Sequence, residues 1–382
     1  MQLHLLVLRV LPVAHGGSKD LFIQVIFQSH FYEKCPVLHK RRGKMKPDST
    51  SGARILSRKI RVSILLILVL FLTGIQAPQS LAEKKLLITP AMLSAIPQDQ
   101  RIVVDTRPAW KFLLGHIPGA VNLDDWWEFT HKSEGVKGLL KDDKTFITEK
   151  FAPLGFSPEK PIIIYGEPDD PWRTDGRFFW MFEYYGFQNV SLLDGGFASW
   201  KQAGKKIERG LQNPTPKAKS ALNSINLNPD VAAYKTMINN VFYSNNFRII
   251  DNRTRKEFDG ATPYGSPKGG HIPNAIHIHW PEFFQADGTL KTQSALNSLL
   301  RQNEIRPNQE IIVYCTGGVR SGMAYFVFRY LGYKVRNYDG SWWDWSRSPF
   351  PVEIGQKRSK TNQKTLTGDK KLPLRSGVEH SG

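Results

Sequence analysis

The chain has 382 residues with 31 Gly, 24 Pro and only 2 Cys, and its 41% hydrophobic and 23% charged residues are an ordinary globular balance. Two cysteines exclude a disulfide-rich scaffold and any Cys-rich zinc or iron–sulfur module. The net charge of +18 sits at the ends: residues 1–82 hold 12 basic and 3 acidic side chains (+9), residues 355–382 hold 7 and 2 (+5), and the 272 residues between keep only +4, so no folded basic stripe points to nucleic acid.

Residues 62–75 read VSILLILVLFLTGI, an uncharged run of 14 behind Arg58, Lys59 and Arg61. Ser80-Leu81-Ala82 then precede Glu83. Basic flank, short apolar core and small-residue cleavage site are the three parts of a secretory signal peptide. The run falls short of the roughly 20 apolar residues of a membrane span. Export with cleavage after Ala82 is therefore expected, to a periplasmic or secreted location, and an uncleaved membrane tether through 62–77 is the alternative. Sixty-one residues precede the core, and Met45 would give a more usual start, so 1–44 reads as an upstream extension. Cleavage removes Cys35 and leaves one thiol, Cys315, with no internal disulfide. A lone thiol in an oxidising compartment is either buried and inert or there to react.

Beyond the leader the chain repeats itself. IVVDTR at 102–107 answers IIDNR at 249–253, and GHIPGA at 115–120 answers GHIPNA at 270–275. IIIYG at 162–166 answers IIVYC at 311–315, and LDGGFASW at 193–200 answers YDGSWWDW at 338–345. The offsets are 146, 155, 149 and 145, and the jump falls in the Gly/Pro-rich stretch ATPYGSPKG at 261–269. Four blocks in one order are a tandem duplication. Each copy alternates short apolar runs (102–104, 162–165) with helical stretches (174–185, 320–331). That pattern predicts an α/β fold, each domain a mostly parallel sheet flanked by helices on both faces. The expected layout is a first domain over 85–205, a polar linker over 206–229, a second domain over 230–354, and a disordered basic tail over 355–382.

The duplication separates fold from chemistry. Asp105/Asp251, Arg107/Arg253, His116/His271 and Trp200/Trp345 recur in both copies and read as scaffold. After the Ile-Ile-Tyr strand the copies part. The first continues GEPDDPWRTDGR, with Gly166 at the matching place and Glu167, Asp169 and Asp170 behind it, so a thiolate would be repelled there. The second continues Cys315-Thr316-Gly317-Gly318-Val319-Arg320-Ser321. A helix expected from about Ser321 aims its N-terminus and the loop N–H groups at Cys315, which favours the thiolate. Gly317 and Gly318 allow an anion nest. Arg320 offers a forked cation to a bound oxyanion. Cys315 is thus a candidate nucleophile, with Thr316 to Ser321 as its substrate cradle.

This constellation resembles the rhodanese family over about 270 residues: D-x-R, GHIP-x-A, the Cys-x-x-Gly-x-Arg loop and the closing Asp-Gly-aromatic block. A duplicated plan with the Cys only in the second domain looks like thiosulfate and 3-mercaptopyruvate sulfurtransferases. The resemblance implies two rhodanese-like domains, the first silent. It implies a Cys315 persulfide that carries sulfane sulfur from a small-molecule donor such as thiosulfate to cyanide or a thiol acceptor. Neither a metal nor an organic cofactor is expected, and the chain is expected to be a monomer. Two departures touch donor choice. Animal thiosulfate sulfurtransferases have a second substrate Arg where this chain has Glu257, and basic residues after the Cys where it has Thr316 and Gly317. Mercaptopyruvate enzymes typically carry Thr at the loop end, against Arg320 here. A dual-specificity phosphatase is disfavoured because its Cys-x5-Arg ring is one residue longer than Cys315-x4-Arg320. The non-enzymatic alternative is a sulfur carrier or sensor.

Overall fold

Short apolar runs without a polar face suit central parallel strands covered on both sides, and the IVVD, IIIY and EIIVY segments are such strands. The computed structural model describes residues 85–157, 160–211, 222 and 225–355. The leader, Cys35, the tail beyond 355 and much of the linker lie outside the described residues. The first half holds β1 (Leu87–Ile88), α1 (Pro90–Ala95), β2 (Ile102–Asp105), α2 (Ala109–Leu114), β3 (Ala120–Asn122), an antiparallel hairpin of β4 (Thr130–Ser133) and β5 (Val136–Leu140), α3 (Lys144–Phe151), β6 (Ile162–Tyr165), α4 (Thr174–Tyr184), β7 (Val190–Leu193) and α5 (Gly196–Gln202). The second holds β8 (Ala232–Ala233), α6 (Lys235–Val241), β9 (Phe247–Asp251), α7 (Arg255–Phe258), β10 (Ile276–His277), α8 (Gln293–Gln302), β11 (Glu310–Tyr314), α9 (Val319–Tyr330), β12 (Val335–Tyr338) and α10 (Ser341–Trp345).

The two five-stranded sheets run β1-β7-β6-β2-β3 and β8-β12-β11-β9-β10, the same order element for element. Every pairing in them is parallel. Val104 pairs with Ile164 and Ile164 with Leu192; Ile250 pairs with Val313 and Val313 with Asn337. The duplication in the sequence is thus a duplication of register. One face of the first sheet packs Val103 and Ile163 on Leu93, Phe112 and Trp200. The matching face of the second packs Ile249 and Ile312 on Ile238, Trp342 and Trp345. The opposite faces of both sheets contribute to one continuous apolar cluster that also contains α4 and α9.

Those two helices explain why the halves stay together. Both are buried nearly all round, with ten residues of each inaccessible and their charged members paired inside the protein. They cross at paired glycines. A Cβ on Gly176 would stand 2.3 Å from Met323 Cα, and one on Gly322 would stand 2.8 Å from Arg177 Cα. The duplicated Asp-Gly block adds a reciprocal clasp, one carboxylate from each half. Asp339 Oδ2 accepts from the Leu140 N–H at 2.7 Å, and Asp194 Oδ1 from the Leu290 N–H at 2.9 Å. Arg177 on α4 also donates to Asp339.

The other shared residues are scaffold. Arg107 and Arg253 each donate at 2.6 Å to the Asp two residues before and at 2.7 Å to the carbonyl of Gly115 or Gly270. His116 stacks on Phe112 and His271 on Phe258, each with Nδ1 2.9 Å from the carbonyl of that Phe. Among the described residues no helix is long and apolar enough to cross a membrane.

Candidate active site

Cys315 sits where β11 ends and its main chain is handed to α10. The Cys315 N–H donates to Ser341 Oγ at 3.2 Å, while the Cys315 and Thr316 carbonyls accept from the Trp342 and Trp343 N–H groups at 3.0 and 2.9 Å. The Asp-Gly-Ser-Trp-Trp block, which reads as packing in the sequence, therefore also fixes the loop. The following helix begins at Val319 behind Gly318, two residues earlier than the sequence suggests. That turn places Ser321 Oγ 3.6 Å from Cys315 Sγ as a donor.

Three of the expected features converge on the sulfur. Burial pushes the Cys315 thiol up, since the residue is only 1% exposed. The Arg320 charge, the Ser321 backbone and hydroxyl donors and the Gly317 N–H outweigh that burial, and the net shift is downward. Alkylation of the folded chain should therefore rise through a midpoint below that of the same thiol in the unfolded chain. A stopped-time iodoacetamide series read by mass spectrometry checks this; a midpoint at or above the unfolded chain's would contradict it.

Arg320 departs from expectation. Its fork is not open to an oxyanion, because it is spent on Glu257: Nη1 to Oε2 at 2.9 Å and Nη2 to Oε1 at 2.8 Å, both groups buried. Nη2 also donates to Thr316 Oγ1 at 2.7 Å, and that hydroxyl donates on to Glu257 Oε1 at 2.7 Å. Glu257 further accepts from the Thr254 N–H and hydroxyl, as the N3 partner of the capping box of α7. Burial alone would raise this carboxyl, but Arg320 foremost, with Thr316 and Thr254, holds it at about 2. Glu257 thus takes the place of the animal enzymes' second cation and makes the nearest cation half of an ion pair.

Cys315, Thr316, Gly317, Val319 and Arg320 line a cavity of ≈ 310 Å³. Gly318 does not; it faces Asp339 and Arg177 at the junction of the halves. The rest of the wall is aromatic and was not legible as a site: Trp126, Trp127 and Trp172 from the first half, Tyr264 and Trp343 from the second, with Lys137. Trp127 stacks on Trp343 with ring centroids 6.2 Å apart. Trp172 meets Tyr264 edge-on at 5.5 Å, and the Arg320 guanidinium lies 5.4 Å from the Trp172 ring and 5.8 Å from Tyr264. Trp343 also explains Gly317, since a Cβ there would lie 2.2 Å from its ring. Trp172 belongs to the long loop of the first copy and Tyr264 to the insertion of the second. Two of the places where the copies differ in length meet over Cys315.

The matching place in the first half is filled by its own carboxylates. A Cβ on Gly166 would meet the Asp175 carboxyl carbon and Thr106 Oγ1 at 3.2 Å. Asp170 Oδ2 accepts from the Thr174 N–H at 2.8 Å, at the helix N-terminus where an anion would bind. Glu167 pairs with Arg107 at 3.0 Å. Among the described residues, no group of three or more His, Cys, Asp or Glu side chains could hold a metal ion.

The family description "Rhodanese-like domain" matches residues 89–203 and again 230–348. A protein named thiosulfate sulfurtransferase from Azotobacter vinelandii is 29% identical over 276 residues, 72% of this chain and 98% of that protein. One named 3-mercaptopyruvate sulfurtransferase from Escherichia coli K12 is 30% identical over 254 residues, 65% of this chain and 87% of that one. Among solved structures, that of SseA from Escherichia coli, described as a 3-mercaptopyruvate sulfotransferase with the rhodanese fold, superposes with a TM-score of 0.58 at 25% identity, covering 68% of this chain and 99% of that one.

Proposed function

The chain belongs to the rhodanese family, and from that premise we propose that it is a sulfurtransferase that moves sulfane sulfur through a persulfide on Cys315. The observation that carries the reading is the one thiol among the described residues, buried and held toward its thiolate by Arg320, Ser321 and the Gly317 N–H. With thiosulfate as donor, the Cys315 thiolate attacks the outer sulfur. A Cys315 S–S bond forms, the donor's S–S bond breaks, and sulfite leaves with the electron pair. Cyanide or a thiolate then attacks the terminal sulfur of the persulfide, takes it, and returns the Cys315 thiolate with the bonding electrons. The same N–H and hydroxyl donors serve thiolate and persulfide, so the charge is stabilised throughout. The name of the Escherichia coli relative supports 3-mercaptopyruvate as a second donor, with pyruvate as the other product. The leader supports placing the reaction in the periplasm or outside the cell.

Thiocyanate formation from thiosulfate and cyanide by the purified chain tests the reading. Turnover with a persulfide on Cys315 is expected; a folded chain whose Cys315 gains no sulfur from thiosulfate or mercaptopyruvate would refute it. The first half is proposed to be silent. Gly166→Cys in a Cys315→Ser background is expected to stay inactive, since a Cβ there lies 3.2 Å from the Asp175 side chain and Asp170 already occupies the helix N–H that would stabilise a thiolate. Recovered turnover would overturn that assignment.

A further inference from the structure

The half without a nucleophile reaches the Cys315 loop through one buried charge. Gly176 and Gly322 hold the same place in the two copies, 146 residues apart, and so do the residues that follow them, Arg177 on α4 and Met323 on α9. Both side chains are buried, at 1% and 0% exposure. A methionine is ordinary where two buried helices cross, whereas a cation there is costly unless it is paired and hydrogen-bonded. Arg177 finds three acceptors. Nη1 donates to Asp339 and to the Gly318 carbonyl at 3.4 Å, and Nη2 donates to the Gly138 carbonyl at 3.2 Å. Gly138 lies on β5, Gly318 ends the Cys315 loop, and Asp339 opens the block whose Ser341, Trp342 and Trp343 fix that loop. The guanidinium also lies 5.6 Å from the ring of Trp126, part of the cavity wall.

What this does at the sulfur follows from the planarity of the peptide bond. In a trans peptide the C=O and the N–H point in opposite directions. Arg177, with Asn337 Nδ2 at 3.3 Å, draws the Gly318 carbonyl into the junction of the halves. The N–H of the same peptide, that of Val319, is thereby turned the other way, to the side on which Val319 and Cys315 line the cavity. It is the first N–H of α9, one of the group that a helix leaves without an internal partner. The matching clasp of the first copy has no such cation. Met323 offers Asp194 no charge, and burial pushes the Asp194 carboxyl up.

We propose that Arg177 is a positioning residue for the chemistry at Cys315: from the half without a nucleophile it fixes the Gly318 peptide and Asp339, and so keeps the N-terminus of α9 aimed at the sulfur. Its effect on turnover rests on the persulfide reading above; its effect on the thiol does not. Arg177 lines no part of the cavity over Cys315 and acts through the Gly318 peptide and the block behind it. Gly318 has a φ of +77°, a conformation a glycine enters and leaves without strain. With Arg177 gone, that peptide is free to turn and the loop N–H groups lose their common direction. Thiolate and persulfide draw on the same N–H groups, so both lose stabilisation together. The first half then has a part in the reaction although its own loop has none.

Arg177→Met, which copies the residue of the other helix, and Arg177→Lys test this beside Asp194→Ala, which cuts the matching clasp between the halves at Leu290. All three are made in the full chain, with the fold checked by circular dichroism. The readings are the pH midpoint of Cys315 alkylation and the steady-state kcat and KM with thiosulfate and cyanide. Arg177→Met should move the midpoint up by about half a pH unit or more. It should lower kcat about tenfold, with a smaller change in KM. Arg177→Lys keeps a charge for Asp339 but loses the fork that spans Gly318 and Gly138. It should show the same shifts at smaller size, and it decides the matter if Arg177→Met does not fold. Asp194→Ala should leave the midpoint in place and kcat within about twofold of the parent's. Parental midpoints in the folded Arg177 variants overturn the proposal. An equal shift in Asp194→Ala also overturns it, by making the interface as a whole responsible, and so does unfolding of both Arg177 variants, which makes Arg177 a residue of stability alone. Failure of every donor to load Cys315 would sink the persulfide reading, while the alkylation midpoint would still report on Arg177.

Discussion

Cys315→Ser will abolish sulfur transfer, by at least about 10³-fold in turnover, while leaving the protein folded and within about 1 kcal/mol of its original stability. The substitution exchanges one atom in a site whose main chain is fixed independently of the side chain. The loop is held by Ser341, Trp342 and Trp343 through backbone groups of Cys315 and Thr316, none of which the mutation touches. The hydroxyl of Ser321 remains able to donate to the new oxygen. What changes is the chemistry. Among the described residues no base is hydrogen-bonded to this position to take a serine proton, and the groups that lower the Cys315 thiol act on an acid far stronger than a hydroxyl. Oxygen also cannot hold the transferable sulfur as a persulfide. Thiocyanate release beside intact-mass spectrometry after donor treatment provides the readout: the parent gains one sulfur and the variant none. Turnover that survives the substitution would mean that sulfur passes directly from donor to acceptor without a covalent intermediate on this residue.

The parts legible in the sequence were those carried within one copy. Asp105-x-Arg107 and Asp251-x-Arg253 recur, and each is a local pair across two residues that needs nothing from the other half. The apolar strands and the Cys-x-x-Gly-x-Arg loop are equally local. Comparing copies also exposed Cys315 against Gly166, because the scaffold cancels. The same comparison hid whatever is made between copies. Trp126, Trp127, Trp172 and Lys137 lie in the half that reads as silent, and nothing local to them points at a thiol in the other half. Their signal was present in another form: tryptophans in polar loops, at places where the copies differ in length. In the sequence Glu257 stands out only as the absence of a cation. Its carboxylate is the positive feature, but its partners Thr316 and Arg320 are 59 and 63 residues away in the chain. No spacing rule connects them, and only the parallel pairing of β9 with β11 brings α7 to the Cys315 loop.

Glu257→Ala is the substitution expected to cost the most stability, about 3–5 kcal/mol, because it leaves Arg320 buried without its counter-charge. Thr316 Oγ1 loses its acceptor and the capping box of α7 opens in the same step. Glu257→Gln keeps one carbonyl oxygen for the guanidinium but turns an amide donor toward it, so it should recover only part of the loss. The pH dependence separates this from simple loss of packing. The Glu257 carboxyl is held at about 2, below the 4.5 of an ordinary glutamate. Its contribution is fully present above pH 4.5 and is lost as the pH falls toward 2, about 3 kcal/mol over that window at 1.36 kcal/mol per pKa unit. Because the group is almost fully buried, solvent screening reduces that figure little. Urea unfolding at a series of pH values from 6 to 3 should therefore show stability falling steeply in the parent and less steeply in both variants. The same loss makes a second reading in the cavity. With Glu257 replaced, the Arg320 charge is no longer cancelled, so the KM for dianionic thiosulfate should fall in whatever fraction of Glu257→Gln remains folded. Parallel acid limbs in parent and variants, together with an unchanged thiosulfate KM, would show that Glu257 neither anchors the loop electrostatically nor sets the charge that a donor meets.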